Sequence, residues 1–193
     1  FAEGEGLEGH SFGTLFIVAM TEVAGNFEEA VRETSRVLAV RGQILPATLS
    51  ALTICARTDD GQTIRGESAI TEHGHVKEIF LDPPAIQANP DAIRALLQAD
   101  IIVCGPGSLL TSVMPNMLVE GIRRAIDVSP ALKVYVCNVA TQHGETDAFN
   151  VSDHYRTLTE HLKGSSPFDF VLANSNTDAV LPEEWHSEPV KID

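Results

Sequence analysis

The run Ile101-Ile102-Val103-Cys104-Gly105-Pro106-Gly107-Ser108 constrains this chain more than any other. Four apolar residues without alternation predict a short strand buried on both faces, as in a parallel sheet. Gly-Pro-Gly ends it, and Ser108 is a helix N-cap residue. Parallel strands need crossover connections, so a strand of this kind implies α/β architecture. The ligand sites of open α/β sheets lie outside the carboxyl ends of the strands. Free amides at a helix start attract phosphate or carboxylate, and glycines at 105 and 107 let backbone approach closely.

The flanking sequence extends the pattern. Asn89-Pro90 opens a helix to about Gln98, with proline at the first helical position. A helix follows from about 109 to 127 with a break near Pro115, then a strand over 133–137, a helix from Ser152 to Leu162 and a strand over 168–172. Before these, Leu52–Arg57, Thr63–Glu67 and Val76–Leu81 read as strands, the first two joined by an Asp59-Asp60-Gly61 hairpin. A helix from Ser11 to about Val23 is apolar enough to require burial. Asn26 caps a second one, with Glu28 and Glu29 in its first turn and Arg36 in its last, and Arg41-Gly42 stops it. The expected fold is a Rossmann-like three-layer α/β domain with a mostly parallel sheet and a small antiparallel β insertion at about 50–82.

With 193 residues, 44% of them apolar, the chain can bury one substantial core, and 1–193 reads as a single domain. The formal net charge of −14 sets a field that repels nucleic acid and anionic membranes, which argues against both as partners. No apolar stretch approaches the roughly 20 residues of a bilayer span, and a cytosolic protein is expected. Cys55, Cys104 and Cys137 lie in strand-like segments without zinc spacing and read as reduced core residues. Phe1 is not a natural start, so the chain reads as a fragment.

If the strands at 101–104, 133–137 and 168–172 are parallel neighbours, three exits share one rim. They read Gly105-Pro106-Gly107-Ser108, Asn138-Val139-Ala140-Thr141-Gln142 and Asn174-Ser175-Asn176. Neutral amides and hydroxyls there can read a base, ribose or sugar beside a phosphate on the first exit. His143-Gly144-Glu145-Thr146-Asp147 adds an imidazole and two carboxylates, enough for acid/base chemistry or one metal ligand set; for His143 and Asp147 a solvated loop is the simpler reading. His73, His75, His154 and His161 read as loop or helix-surface residues rather than metal ligands. No Gly-x-Ser-x-Gly elbow, Cys/His dyad or His-Glu-x-x-His is present, so covalent catalysis has no candidate.

Several segments together resemble one family. They are Gly9-His10-Ser11-Phe12-Gly13, Arg41-Gly42 with Leu45-Pro46-Ala47-Thr48, Gly105-Pro106-Gly107-Ser108-Leu109 with Thr111-Ser112, Pro115-Asn116, and Asn138 with Thr141-Gln142 and Gly144-Glu145-Thr146-Asp147. The chain is similar over almost its whole length to the YvcK/CofD-like proteins, the gluconeogenesis factors and the phospholactate transferases of deazaflavin coenzyme synthesis. The finer pattern resembles the gluconeogenesis-factor branch. Thr14 stands where that family usually has Asn, and Leu110 where Tyr is frequent.

The resemblance implies a cytosolic regulatory protein that binds a nucleotide diphosphate or a UDP-sugar-like nucleotide sugar and serves cell shape and growth on gluconeogenic carbon. By similarity, His10, Ser11, Gly105, Pro106, Gly107, Ser108, Asn138, Thr141 and Gln142 would surround the nucleotide; Asn174 joins them from the rim argument. The rival is an enzyme that moves a phospholactyl group from a guanosine diphosphate donor to a deazaflavin. A protein-interaction module is the third reading. The family's glycine-rich first segment, its Asp-Asp-Gly-Gly segment and its C-terminal helical tail are not in this sequence, and any Mg2+ would be held by residues of those segments. No metal ligands are expected within the chain, and a homodimer is expected from resemblance alone.

Overall fold

The computed structural model describes residues 12–39, 41–162 and 166–193, with the side chain of Thr14 also outside the description. They fall into two compact units, 1–49 and 50–193.

In the first unit, α1 (Phe12–Ala24) and α2 (Phe27–Val37) pack on each other. Gly25, at φ 81°, ends α1, and the Asn26 side chain accepts the Glu29 amide at 2.9 Å to start α2. The acidic first turn and the basic last turn of α2 complement its dipole as expected. α2 buries Ala30, Val31 and Thr34. α1 departs from expectation: Phe12, Val18 and Val23 are exposed, because within its own unit α1 has one helix to pack against and a two-helix pair covers one stripe only.

The second unit begins with an antiparallel sheet. Its strands are β1 (Thr53–Arg57), β2 (Thr63–Arg65) and β3 (Glu78–Asp82), in the order β2-β1-β3. The Asp-Gly turn closes the hairpin as expected, with the Gly61 amide on the Thr58 carbonyl at 3.0 Å. Sequence periodicity missed α3 (Glu67–His73), which starts where Gly66, at φ 93°, turns the chain out of β2.

The α/β part follows as α4 (Pro90–Gln98), β4 (Ile101–Cys104), α5 (Met114–Leu118), α6 (Glu120–Val128), β5 (Leu132–Val136), α7 (Val151–His161) and β6 (Phe170–Leu172). Its strands are parallel, in the order β4-β5-β6, with Ile101 opposite Leu132 and Val134 opposite Phe170. The fold is therefore α/β, with a parallel sheet and a small antiparallel one, three strands in each among the described residues. The helix expected over 109–127 comes in pieces: a π-helical turn at Leu109–Val113, then α5, then α6. Pro115 sits in the first turn of α5, where its missing N–H costs nothing; the interruption falls instead at Val119, which is extended.

β4 is not buried on both faces. Ile102 and, on the same face of the sheet, Tyr135 of β5 enter the core, but Ile101, Val103, Phe170 and Leu172 are each 58–60% exposed. The register puts these four on one face of the sheet, together with Leu132, Val134 and Val136. A residue run suited to two-sided burial is thus left largely exposed on one side.

α7 opens on a capping box in which the Asn150 side chain accepts the Asp153 amide and the Asp153 carboxylate accepts the Asn150 amide. One turn later His154, expected on the helix surface, is instead fully buried, with Nδ1 2.8 Å from the Asn150 carbonyl and its ring edge-on to Phe149. Its Nε2 has no partner among the described residues. Burial lowers the His154 pKa, against smaller opposing effects of the Asn150 carbonyl and Asp153. The unfolded chain therefore takes up this proton first as pH falls. Stability present above the ordinary histidine pKa of about 6.5 is lost as pH drops from there toward the folded value. Thermal melts between about pH 5 and 7.5 should show this fall, and His154→Phe should flatten it; an unchanged slope in the variant would assign the fall to other groups.

Candidate functional site

The order β4-β5-β6 brings the three strand exits side by side. Two of them are joined directly. Asn138, one residue past the core position Cys137, makes a two-point bond to the Gly107 peptide: the Gly107 amide donates to Asn138 Oδ1 at 2.9 Å, and Asn138 Nδ2 donates to the Gly107 carbonyl at 2.8 Å. The expected nucleotide-contacting amide is thus used to hold the first exit against the second.

Gly105 and Gly107 differ in what they permit. Gly105 has φ 83°, and a Cβ there would lie 2.6 Å from the Val136 carbonyl oxygen. A Cβ on Gly107 would meet only Val113 and Ser112 side-chain atoms at 3.6 and 3.9 Å, ordinary contact distances. Only Gly105 is demanded by the fold.

The inner side of the turn holds an anion of the protein's own. Glu145 is 6% exposed. Its carboxylate accepts from Ser108 Oγ at 2.7 Å to each oxygen, from the Leu110 amide at 3.1 Å, from Thr111 Oγ1 at 2.9 Å and from Gln142 Nε2 at 3.3 Å. The free amides expected at the start of a long helix are not found at this corner. The helical segment after Ser108 is a short π turn, and its Leu110 amide is already paired with a carboxylate. Solvent reaches Gly105–Ser108, of which Pro106 is exposed, whereas Leu109, Leu110 and Thr111 are buried. The Ser108 amide has no acceptor among the described residues.

Thr141 is also committed. Its amide donates to the Glu188 carbonyl at 2.8 Å, and the Glu188 amide donates to Thr141 Oγ1 at 2.9 Å. With Val190 donating to Val139 at 3.0 Å, residues 188–190 form a short antiparallel tie along the second exit. Asn174 closes a local turn, its Nδ2 on the Asn176 carbonyl at 2.8 Å and its Oδ1 on the Asn176 amide at 3.1 Å. His10 and Ser11 lie outside the described residues.

His143 and Asp147 form an exposed pair at 3.1 Å, in keeping with a solvated turn, and the His143 ring lies 5.5 Å from that of His186. No group of three or more His, Cys, Asp or Glu side chains fit to hold a metal occurs among the described residues. Glu145 directs its oxygens to hydrogen-bond donors, and no second carboxylate joins it among the described residues, so those residues do not assemble an Mg2+ site. Burial pushes the Cys104 and Cys137 thiols up to about 11; Cys55 and Cys137 are buried and Cys104 is partly buried. Residues 105–116 and 138–147 contain no Lys or Arg.

Sequence reasoning left Glu145 in an undifferentiated acidic loop. Only its neighbour in space, the Ser108–Thr111 turn, distinguishes it from the solvent-facing Asp147.

The family profile described as 2-phospho-L-lactate transferase CofD matches residues 1–193. The gluconeogenesis factor of Bacillus subtilis is 43% identical, over 95% of this chain and 57% of its own length. The gluconeogenesis factor of Listeria innocua is 38% identical, over 95% of this chain and 58% of its own. A crystal structure of a UPF0052 family member from Bacillus halodurans superposes with a TM-score of 0.87 at 40% identity, covering all of this chain and 64% of that one. The chain spans about three fifths of the length of these relatives. No described helix is long and apolar enough to cross a membrane.

Proposed function

The chain belongs to the CofD family, and from that premise we propose that it binds a nucleotide diphosphate or nucleotide sugar at the carboxyl rim of its parallel sheet, as a regulatory protein of gluconeogenic growth. The observation that carries this reading is the Asn138–Gly107 two-point bond, which makes one polar ledge of two neighbouring strand exits. A phosphate on the outer edge of the Gly105–Ser108 turn would meet the Ser108 amide, and the second exit would offer the neighbouring Gln142 and His143 to the rest of the ligand. Binding without turnover accords with the side chains present. The Ser108 hydroxyl is bound to a carboxylate that already accepts three other donors, and burial raises the pKa of the Cys104 and Cys137 thiols.

The family description supports a second reading, transfer of a phospholactyl group from a guanosine diphosphate donor to a deazaflavin alcohol. With no nucleophile on the ledge, such a reaction would draw on positioning and charge stabilisation.

Thermal melts with UDP-sugars, UDP and GDP test the first reading. A ligand at about 100 times its dissociation constant adds roughly 2.7 kcal/mol, which is about 5–10 °C in Tm for a chain of this size. Gly107→Ala should melt within about 1 kcal/mol of the parent, since its Cβ finds ordinary contacts. Gly107→Val, which puts a branched side chain on the ledge, should lose the ligand shift. Undiminished shifts in the valine variant would remove the ledge from the account, and release of GMP on adding a deazaflavin would favour the transferase.

A further inference from the structure

We propose that Glu145 is the positioning residue of the Gly105–Ser108 turn: its buried carboxylate draws the Ser108 and Thr111 hydroxyls and the Leu110 amide inward, so that a ligand's phosphate is received by outward main chain and not by the Ser108 side chain. The proposal rests on the nucleotide reading for its ligand and on geometry alone for the strap.

Three features of the structure support it. First, Glu145 is the meeting point of two strand exits. It lies on the turn after β5, and three of its four donor residues, Ser108, Leu110 and Thr111, belong to the segment after β4. Second, the carboxylate has about four lone-pair directions, and the four donor groups fill them, which fixes its orientation within the protein. Third, no Lys or Arg pairs with Glu145 among the described residues, so its charge is balanced by oriented dipoles that must stay in place. Moving Ser108 or Thr111 outward toward a ligand would leave a buried charge underpaired, an expensive state. Gln142 extends the same group of bonds, its Nε2 reaching Glu145 at 3.3 Å, and Thr146, fully buried beside it, accepts the Gln142 amide at 2.8 Å. The strap thereby ties the second exit, and the residues that flank any ligand there, to the turn of the first.

Glu145→Ala and Glu145→Gln test this by two independent readouts. Hydrogen exchange over 105–113 should speed up in Glu145→Ala while α4 and α6 keep their protection, because the Leu110 amide loses its acceptor. The dissociation constant for the UDP-sugar or GDP that binds the parent should rise about tenfold or more, the scale of one lost charged hydrogen bond. Glu145→Gln, which keeps one carbonyl acceptor, should fall between the two, and acetate added to Glu145→Ala should recover part of both losses. A merely structural residue would not respond to acetate in ligand affinity. Should Glu145→Ala fold poorly, Thr111→Val, which removes one donor at nearly constant volume, should shift both readouts the same way by less. Unchanged exchange over 105–113 would overturn the strap, and unchanged or tighter ligand binding with faster exchange would overturn its role in binding. If no nucleotide binds the parent, the nucleotide reading fails, while the exchange measurement still decides whether Glu145 holds the turn.

Discussion

Gly105→Ala should destabilise the protein by about 2–5 kcal/mol, the sum of roughly 1–2 for a side chain in the left-handed region and 1–3 for overpacking. The position has φ 83°, and the added methyl would sit 2.6 Å from the carbonyl oxygen of Val136, a main-chain atom of the neighbouring strand that cannot swing aside. Relief would require β4 and β5 to separate at the point where Cys104 pairs with Tyr135. Thermal unfolding should register the loss as a fall in Tm on the order of 10 °C. Because the same movement would pull Gly107 from Asn138, any ligand-induced shift should vanish with it. A variant that melts like its parent would mean that the turn is looser than the Asn138 and Glu145 contacts indicate.

Gly144→Ala should have a loss of similar size for a different reason. Gly144 has φ 84°, and a Cβ there would lie 2.6 Å from the carbonyl oxygen of Thr71 and 3.6 Å from Gly74 Cα. This is where the end of α3 abuts the turn that carries Glu145. The substitution should cost about 2–5 kcal/mol by the same two contributions. It should also loosen the β-insertion, which hydrogen exchange in β1 and β3 would report alongside the Tm. Loss of protection confined to 142–147 would show that the insertion is held to the rim by other contacts.

Much of the architecture was legible in the residues. Ile101–Cys104 and Pro90–Gln98 fall where apolar run and Asn-Pro start place them, because each is specified by local chemistry: branched residues before a Gly-Pro-Gly stop, and a cap followed by proline at the first helical position. α3 was not legible. Its seven residues carry too little apolar period to separate them from a strand end, and the glycine that divides them from β2 acts through φ, which sequence does not display. The candidate site divides in the same way. That Asn138 and Gly107 would share a rim follows from the order of parallel strands. That the Asn138 amide is spent on a peptide, and Thr141 on Glu188, depends on contacts between segments 31 and 47 residues apart. Glu145 is the extreme case, since a carboxylate in a Gly-Glu-Thr-Asp run is ordinarily solvated and only the fold turns it inward.

The uncovered side of the parallel sheet has a calorimetric consequence. Ile101, Val103, Phe170 and Leu172 are already open to solvent in the folded state, so on unfolding they add less newly wetted oily surface than buried residues would. The heat-capacity increment of unfolding, which grows with freshly hydrated hydrocarbon, is therefore expected to be smaller than for a chain with both sheet faces dry, and the curve of stability against temperature correspondingly flatter and broader.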